Sequence, residues 1–142
     1  MTDRILEFLR ARREAGRDHG PCLVVDLDVV RDNYNAFAKA LPDTRVFYAV
    51  KANPEPQVLK LLADLGSCFD TASVVEIEQS LAAGASPDRI SFGNTIKKER
   101  DVARAYALGI RLFAVDCEAE VDKIARVAPG SKVFCRILSN GA

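Results

Sequence analysis

A lysine at the end of an apolar run is the residue in this chain best placed to do chemistry. In "FYAVKANPEP", Phe47 to Pro56, Lys51 follows "VFYAV" and precedes a segment dense in turn residues. At the partly enclosed end of a strand, desolvation disfavours the ammonium form and frees a nucleophilic amine of the kind that condenses with aldehydes. The same position also suits a lysine that snorkels into water. Asp70 in "CFDTA" and Arg136 in "VFCRIL" are charges set inside apolar runs, and each needs a partner because an unpaired buried charge is costly. Lys51 or a polar ligand can serve Asp70. A phenolate, carboxylate or phosphate suits the guanidinium fork of Arg136, and a structural pairing with Asp116 or Asp70 suits it equally. Glu76 reads differently, because "SVVE" (Ser73 to Glu76) is a capping box that accounts for both residues without an active site. Asn94 and Asp116 also stand where apolar runs end. Lys97 and Lys98 read as a solvated helix start, although Asn94 and Lys97 can also touch an anion.

The elements that must position these residues follow a regular alternation. "CLVVDL" (Cys22 to Leu27) reads as a strand and Asp28 to Ala40 as a helix. "VFYAV" is the next strand, with a helix over Pro56 to Leu65; "CFDTA" follows, with a helix over Ser73 to Ala83. "RISF", a helix over Lys98 to Leu108, "LFAV", a helix over Glu118 to Val127 and "KVFCRIL" complete the series. Strands recur about every 20 to 25 positions with a helix between them, the rhythm of βαβ units and a parallel sheet. The nearly continuous apolar strands predict a sheet covered on both faces.

A doubly wound open sheet and a (β/α)8 barrel share this rhythm. Neither GxGxxG nor GxxxxGK[ST] occurs, which favours the barrel. In a barrel the strand-to-helix loops surround a common mouth, so Lys51, Asp70 and Arg136 can share one site. A barrel needs about eight strands and roughly 200 residues, whereas this chain supplies about five steps and stops at Gly141-Ala142. The last apolar strand is left without a covering helix, and the expectation is an N-terminal part of a longer protein.

Composition narrows the function classes. The chain has 142 residues, 49% of them hydrophobic, enough for about one globular domain. Twenty basic and twenty acidic side chains cancel, so no global field draws nucleic acid or an anionic membrane. No apolar run approaches the roughly eighteen residues of a membrane span, and the N-terminus lacks a signal-peptide core, so a cytoplasmic address is expected. The four cysteines, Cys22, Cys68, Cys117 and Cys135, are separated singles in or beside apolar runs. They read as buried thiols in a reducing compartment, without a metal site or disulfide framework. His19, the only histidine, lies in the turn-like "RDHGP" and reads as solvated. Residues 1–20 form an arginine-rich amphipathic appendage, and residues 21–142 the incomplete barrel domain.

"FYAVKANPEPQVLKLLADLGSCFDTASVVEIE", with "DRISFGNTIKKERDVARAYALGIRLFAVDCEAEVDKI" and "VFCRIL", resembles the N-terminal barrel segment of the fold-type III ornithine/arginine/diaminopimelate decarboxylases, an alanine racemase-like barrel family. The combination of "YAVKAN" with "FDxAS" about twenty residues later carries most of the specificity. The resemblance implies that Lys51 binds pyridoxal 5'-phosphate as an internal aldimine. It further implies that Asp70 positions groups around the cofactor, that Glu76 supports the site from behind, and that Arg136 lies beside the ring. "FDTAS" with "GNTIKK" looks most like the ornithine decarboxylase branch, including bacterial enzymes that accept lysine. Alanine racemases differ at Asn53 to Pro56, and diaminopimelate decarboxylases differ at "SVVEIE". The implied reaction converts L-ornithine to putrescine in a homodimer. The implied phosphate loop, ring-stacking histidine, acidic partner of the pyridine nitrogen and C-terminal β-domain all fall beyond residue 142, so the chain alone is expected to be inactive. The competing expectations are a regulatory homologue that acts by association and a barrel that binds the cofactor without turnover.

Overall fold

The computed structural model describes residues 2–17 and 20–139; His19 and the terminal Gly141 and Ala142 lie outside the described residues. Among the described residues, six α-helices and five strands follow in the order α1 (Asp3–Glu14), α2 (Leu27–Ala40), β1 (Phe47–Ala49), α3 (Pro56–Asp64), β2 (Cys68–Thr71), α4 (Val74–Ala82), β3 (Ile90–Phe92), α5 (Glu99–Ala107), β4 (Leu112–Val115), α6 (Glu118–Val127) and β5 (Lys132–Cys135). All strand pairs are parallel, and the sheet order is β1-β2-β3-β4-β5. Sequential order without a reversal is what successive steps around a barrel wall produce, whereas a doubly wound sheet reverses direction partway. The expected parallel α/β architecture is therefore present.

Local chemistry fixes the steps. In α3, Pro56 occupies the first turn, where its missing N–H is harmless, and Val58, Leu59, Leu62 and Ala63 form the buried face. Gly66 then adopts φ +88°, and the Gly66 and Ser67 amides donate to the Ala63 and Leu62 carbonyls, which satisfies the helix end and turns the chain into β2. Phe69, Ile77, Ile90, Val102, Ile110 and Phe113 are essentially fully buried between sheet and helices. Each such large side chain contributes about 1.5–3 kcal/mol on burial.

Three expectations require correction. "CLVVDL" forms no strand: residues 21–26 are unpaired, Leu23 is 87% exposed, and Asp26 caps α2 by accepting from the Asp28 amide. An apolar run becomes a strand only beside a partner, and β1 pairs with β2 alone among the described strands. Only Cys68 is a buried thiol; Cys22, Cys117 and Cys135 are exposed, on the unpaired segment, at the start of α6 and on the edge strand. The covering of both faces also fails at the edges, since every residue of β5 is exposed and those of β1 are half-buried. No helix among the described residues is long and apolar enough to cross a membrane.

Candidate functional site

β1 leads into a short 3-10 turn, Val50–Ala52, that carries Lys51. Val50 is fully buried and anchors this turn from below. The Tyr48 hydroxyl donates to the Asn53 carbonyl at 3.1 Å, and the Asn53 side chain accepts from the Glu55 amide at 3.1 Å. The backbone on both sides of Lys51 is thus held in place. Burial pushes the Tyr48 phenol up, and the bond to Asn53 offsets this only in part, so the hydroxyl keeps its proton for that bond. Lys51 itself is exposed, so the enclosure expected around its amine is not supplied by the described residues.

Asp70 lies on the sheet face that carries Phe47, Ala49, Ser91, Leu112 and Phe134. Register sets it between Ala49 of β1 and Ser91 of β3. Its partner is Ser91, whose hydroxyl donates to Oδ1 at 2.7 Å, rather than Lys51. A methyl group at Gly93 would lie 2.0 Å from that same oxygen, so the carboxylate lies in space that a side chain there would claim. Phe47, Ala49, Asp70, Ser91, Leu112 and Phe134 line one hollow of about 410 Å³, with apolar walls and a single carboxylate. A larger hollow between α1 and residues 22–27 contains none of the predicted site residues.

Glu76 caps α4 as its sequence implies, with a small shift. The Ser73 hydroxyl accepts from the Glu76 amide at 3.3 Å, and Glu76 Oε2 accepts from the Ala72 amide at 2.5 Å, one residue before the cap. The carboxylate thereby ties the β2–α4 turn to its helix. Arg136 stands just beyond β5 and donates to Asp116 Oδ2 at 2.6 Å, while remaining 67% exposed. This is the structural pairing open to it from sequence. Arg136, followed by the Thr95 hydroxyl, holds the Asp116 carboxyl below its ordinary range against a smaller opposing effect of desolvation.

Lys97 departs most from expectation. Its side chain is fully buried, and Nζ donates to the carbonyls of Asn94 at 2.9 Å and Ala114 at 2.6 Å, with Glu120 Oε2 at 3.2 Å. The loop folds it inward, whereas the neighbouring Lys98 stays at the exposed helix start. Sequence reading also missed Ser91, although a lone serine in "RISF" was a visible signal of a polar inward position. The Lys97–Glu120 pair spans 23 positions, and nothing local announces it.

Lys51 and Arg136 thus stand at the C-terminal ends of the two edge strands, with Asp70 on β2, the strand beside β1. Of the three, only Asp70 lines the apolar hollow; as residue types, a primary amine, a carboxylate and a guanidinium suit an aromatic aldehyde that carries an anionic group. By its donor chemistry, the set fits pyridoxal phosphate.

Residues 27–141 match the model of the pyridoxal-dependent decarboxylase family, pyridoxal-binding domain. Over 117 residues the chain is 47% identical to the chloroplastic ornithine decarboxylase of Nicotiana glauca, covering 82% of this chain and 27% of that protein. It is 42% identical over 117 residues to the lysine/ornithine decarboxylase of Selenomonas ruminantium, covering 82% of this chain and 30% of that protein. The chain therefore spans less than a third of the length of these relatives. A crystal structure of lysine decarboxylase from Selenomonas ruminantium superposes with a TM-score of 0.85 at 37% identity, covering 99% of this chain and 37% of that one. With the match running from the start of α2 to residue 141 and the strands in barrel order, this chain belongs to the pyridoxal-dependent decarboxylase family, as part of its pyridoxal-binding domain, and the cofactor of that domain is pyridoxal phosphate.

Proposed function

We propose that the complete protein decarboxylates a basic amino acid, L-ornithine before lysine, and releases the diamine putrescine. The observation that carries this reading is the exposed amine of Lys51, presented at the end of β1 by a turn pinned through Tyr48, Val50 and Asn53 within the family's pyridoxal-binding segment. Ornithine is named by the Nicotiana relative and shared with lysine in the Selenomonas one, which supports the basic class more strongly than the single substrate.

When bound, pyridoxal phosphate supplies an electron-withdrawing ring that accepts the electron pair left as the α-carboxylate departs. This chain's residues supply position. Lys51 would hold the cofactor through Nζ, and its exposed amine at the end of β1 would be the basic group that carries a proton there. Asp70, fixed on Oδ1 by Ser91, keeps its other oxygen for groups in the hollow. Arg136, braced by Asp116, offers its remaining N–H groups at the rim. Glu76 holds the turn that follows Asp70 and acts through backbone. Phe47, Leu112 and Phe134 supply an apolar floor, beside which a departing carboxylate is less well solvated. We further propose that residues 1–20 are an appendage to a barrel begun by residues 21–142, and that the complete protein is a homodimer in the cytoplasm.

The test is to incubate the full-length protein with pyridoxal phosphate, reduce with borohydride, map the adduct by mass, and follow carbon dioxide release from carboxyl-labelled ornithine and lysine. The expected result is label on Lys51 and release from ornithine in excess of lysine, with both abolished in Lys51→Ala. Absence of label on Lys51 overturns the cofactor role. Label without release overturns decarboxylation and leaves a barrel that binds the cofactor without turnover.

A further inference from the structure

The buried cluster around Lys97 has no assigned part in the site. Bringing a lysine ammonium out of water costs several kcal/mol, and a well-packed apolar residue would avoid that cost. Here burial pushes the Lys97 amine below its ordinary value despite Glu120 beside it. Glu120 is also buried; desolvation raises its carboxyl, but Lys123 and Lys97 together outweigh this and hold it ionised. What the ammonium provides is geometry. Its contacts fix three separate elements at one point: the loop after β3 through the Asn94 carbonyl, the end of β4 through the Ala114 carbonyl, and α6 through Glu120. Lys123 reinforces the point by donating to the Lys97 carbonyl at 2.6 Å.

The anchors on β4 and α6, and the loop that carries Lys97, all connect to Asp116. Ala114 is two residues before it, Glu120 is four residues after it, and Thr95, two residues from Lys97 and itself 5% exposed, is among the groups that hold its carboxyl down. Asp116 in turn holds Arg136. We propose that Lys97 is a positioning residue for the cofactor site: its buried ammonium clamps the loop of residues 93–98 to the end of β4, which fixes Asp116 and, through it, the Arg136 guanidinium. This rests on the reading of Arg136 as a residue beside pyridoxal phosphate. Lys97 does not touch the cofactor; it sets how rigidly Arg136 is presented.

The experiment compares the full-length protein with Lys97→Met, which keeps length and removes charge, and with Arg89→Met. Arg89 is a structural clamp at the opposite ends of the strands, where it donates to the Ala63, Ser67 and Gly84 carbonyls. Two readouts are taken: the Kd for pyridoxal phosphate by titration of the visible cofactor band, and amide hydrogen exchange of residues 93–98 and 114–117 without cofactor. Lys97→Met is expected to weaken cofactor binding about tenfold and to speed exchange in both segments at least tenfold, with α3 and β2 unchanged; Arg89→Met is expected to lower stability without changing the Kd. An unchanged Kd in Lys97→Met, or an equal weakening in Arg89→Met, overturns the positioning role. A wild type that takes up no pyridoxal phosphate overturns the reading beneath it, and is recognised because it requires no variant. Should Lys97→Met fail to fold, Lys97→Met with Glu120→Leu, which leaves no unpaired buried carboxylate, is read by the same criteria.

Discussion

Removing the Ser91 hydroxyl tests whether Asp70 is held by the sheet. Ser91 is 2% exposed, and its hydroxyl donates to Asp70 Oδ1 at 2.7 Å, the short distance of a charge-assisted bond. Bonds to charged groups contribute about 1.5–3 kcal/mol. Asp70 faces an open hollow and is only half-buried, so water screens part of this, and about 1.5 kcal/mol is expected. The alternative acceptor for the hydroxyl, the Phe69 carbonyl at 3.4 Å, compensates little. Ser91→Ala, Asp70→Ala and the double variant form a cycle measured by urea unfolding of the full-length protein at pH 7. The coupling should be about 1–1.5 kcal/mol, above the roughly 0.3–0.5 kcal/mol scatter seen for independent sites. A coupling below about 0.3 kcal/mol would refute the reasoning and assign the orientation of Asp70 to another contact.

Glu76→Ala removes the bond to the Ala72 amide and should lower stability by about 1 kcal/mol, while Glu76→Gln, which retains an acceptor, should lose less than half of that; thermal unfolding of the three proteins decides it. The Asp116 carboxyl is depressed in the fold by Arg136 and then Thr95, below the unfolded value of about 3.9. Its contribution is therefore complete above the unfolded value and is lost as pH falls through the folded one. The stability gap between wild type and Asp116→Asn should be constant above about pH 5 and close on acidification. A gap that widens on acidification would reverse the sign.

Much of the fold was legible because it is written in local chemistry. The helix of residues 56–64 follows from its proline start, its leucine face and its glycine stop, and the strand-helix rhythm fixes a parallel sheet. The place of Lys51 was legible because a charge directly after an apolar run marks the end of a strand. What escaped depends on partners distant in sequence. "CLVVDL" carries a strand's composition without a neighbouring strand, so its backbone stays unpaired. Lys97 looks like half of a solvated lysine pair until β4 and α6 close over it, and Asp70 found Ser91, 21 positions away, because register and not sequence adjacency sets strand neighbours. Cys135 has an apolar context in the sequence but lies on an edge strand, where context does not mean burial.

The unbroken β1-to-β5 order has a consequence for how the chain acquires its shape. Among these five strands, each docks on the one made immediately before it, so each of their pairings closes a loop of one helix and two turns. Contacts of short sequence separation lower the entropic barrier to folding. During synthesis at about 5–20 residues per second, the sheet can therefore grow by accretion from its first strand, with the newest edge always the one open to the next addition.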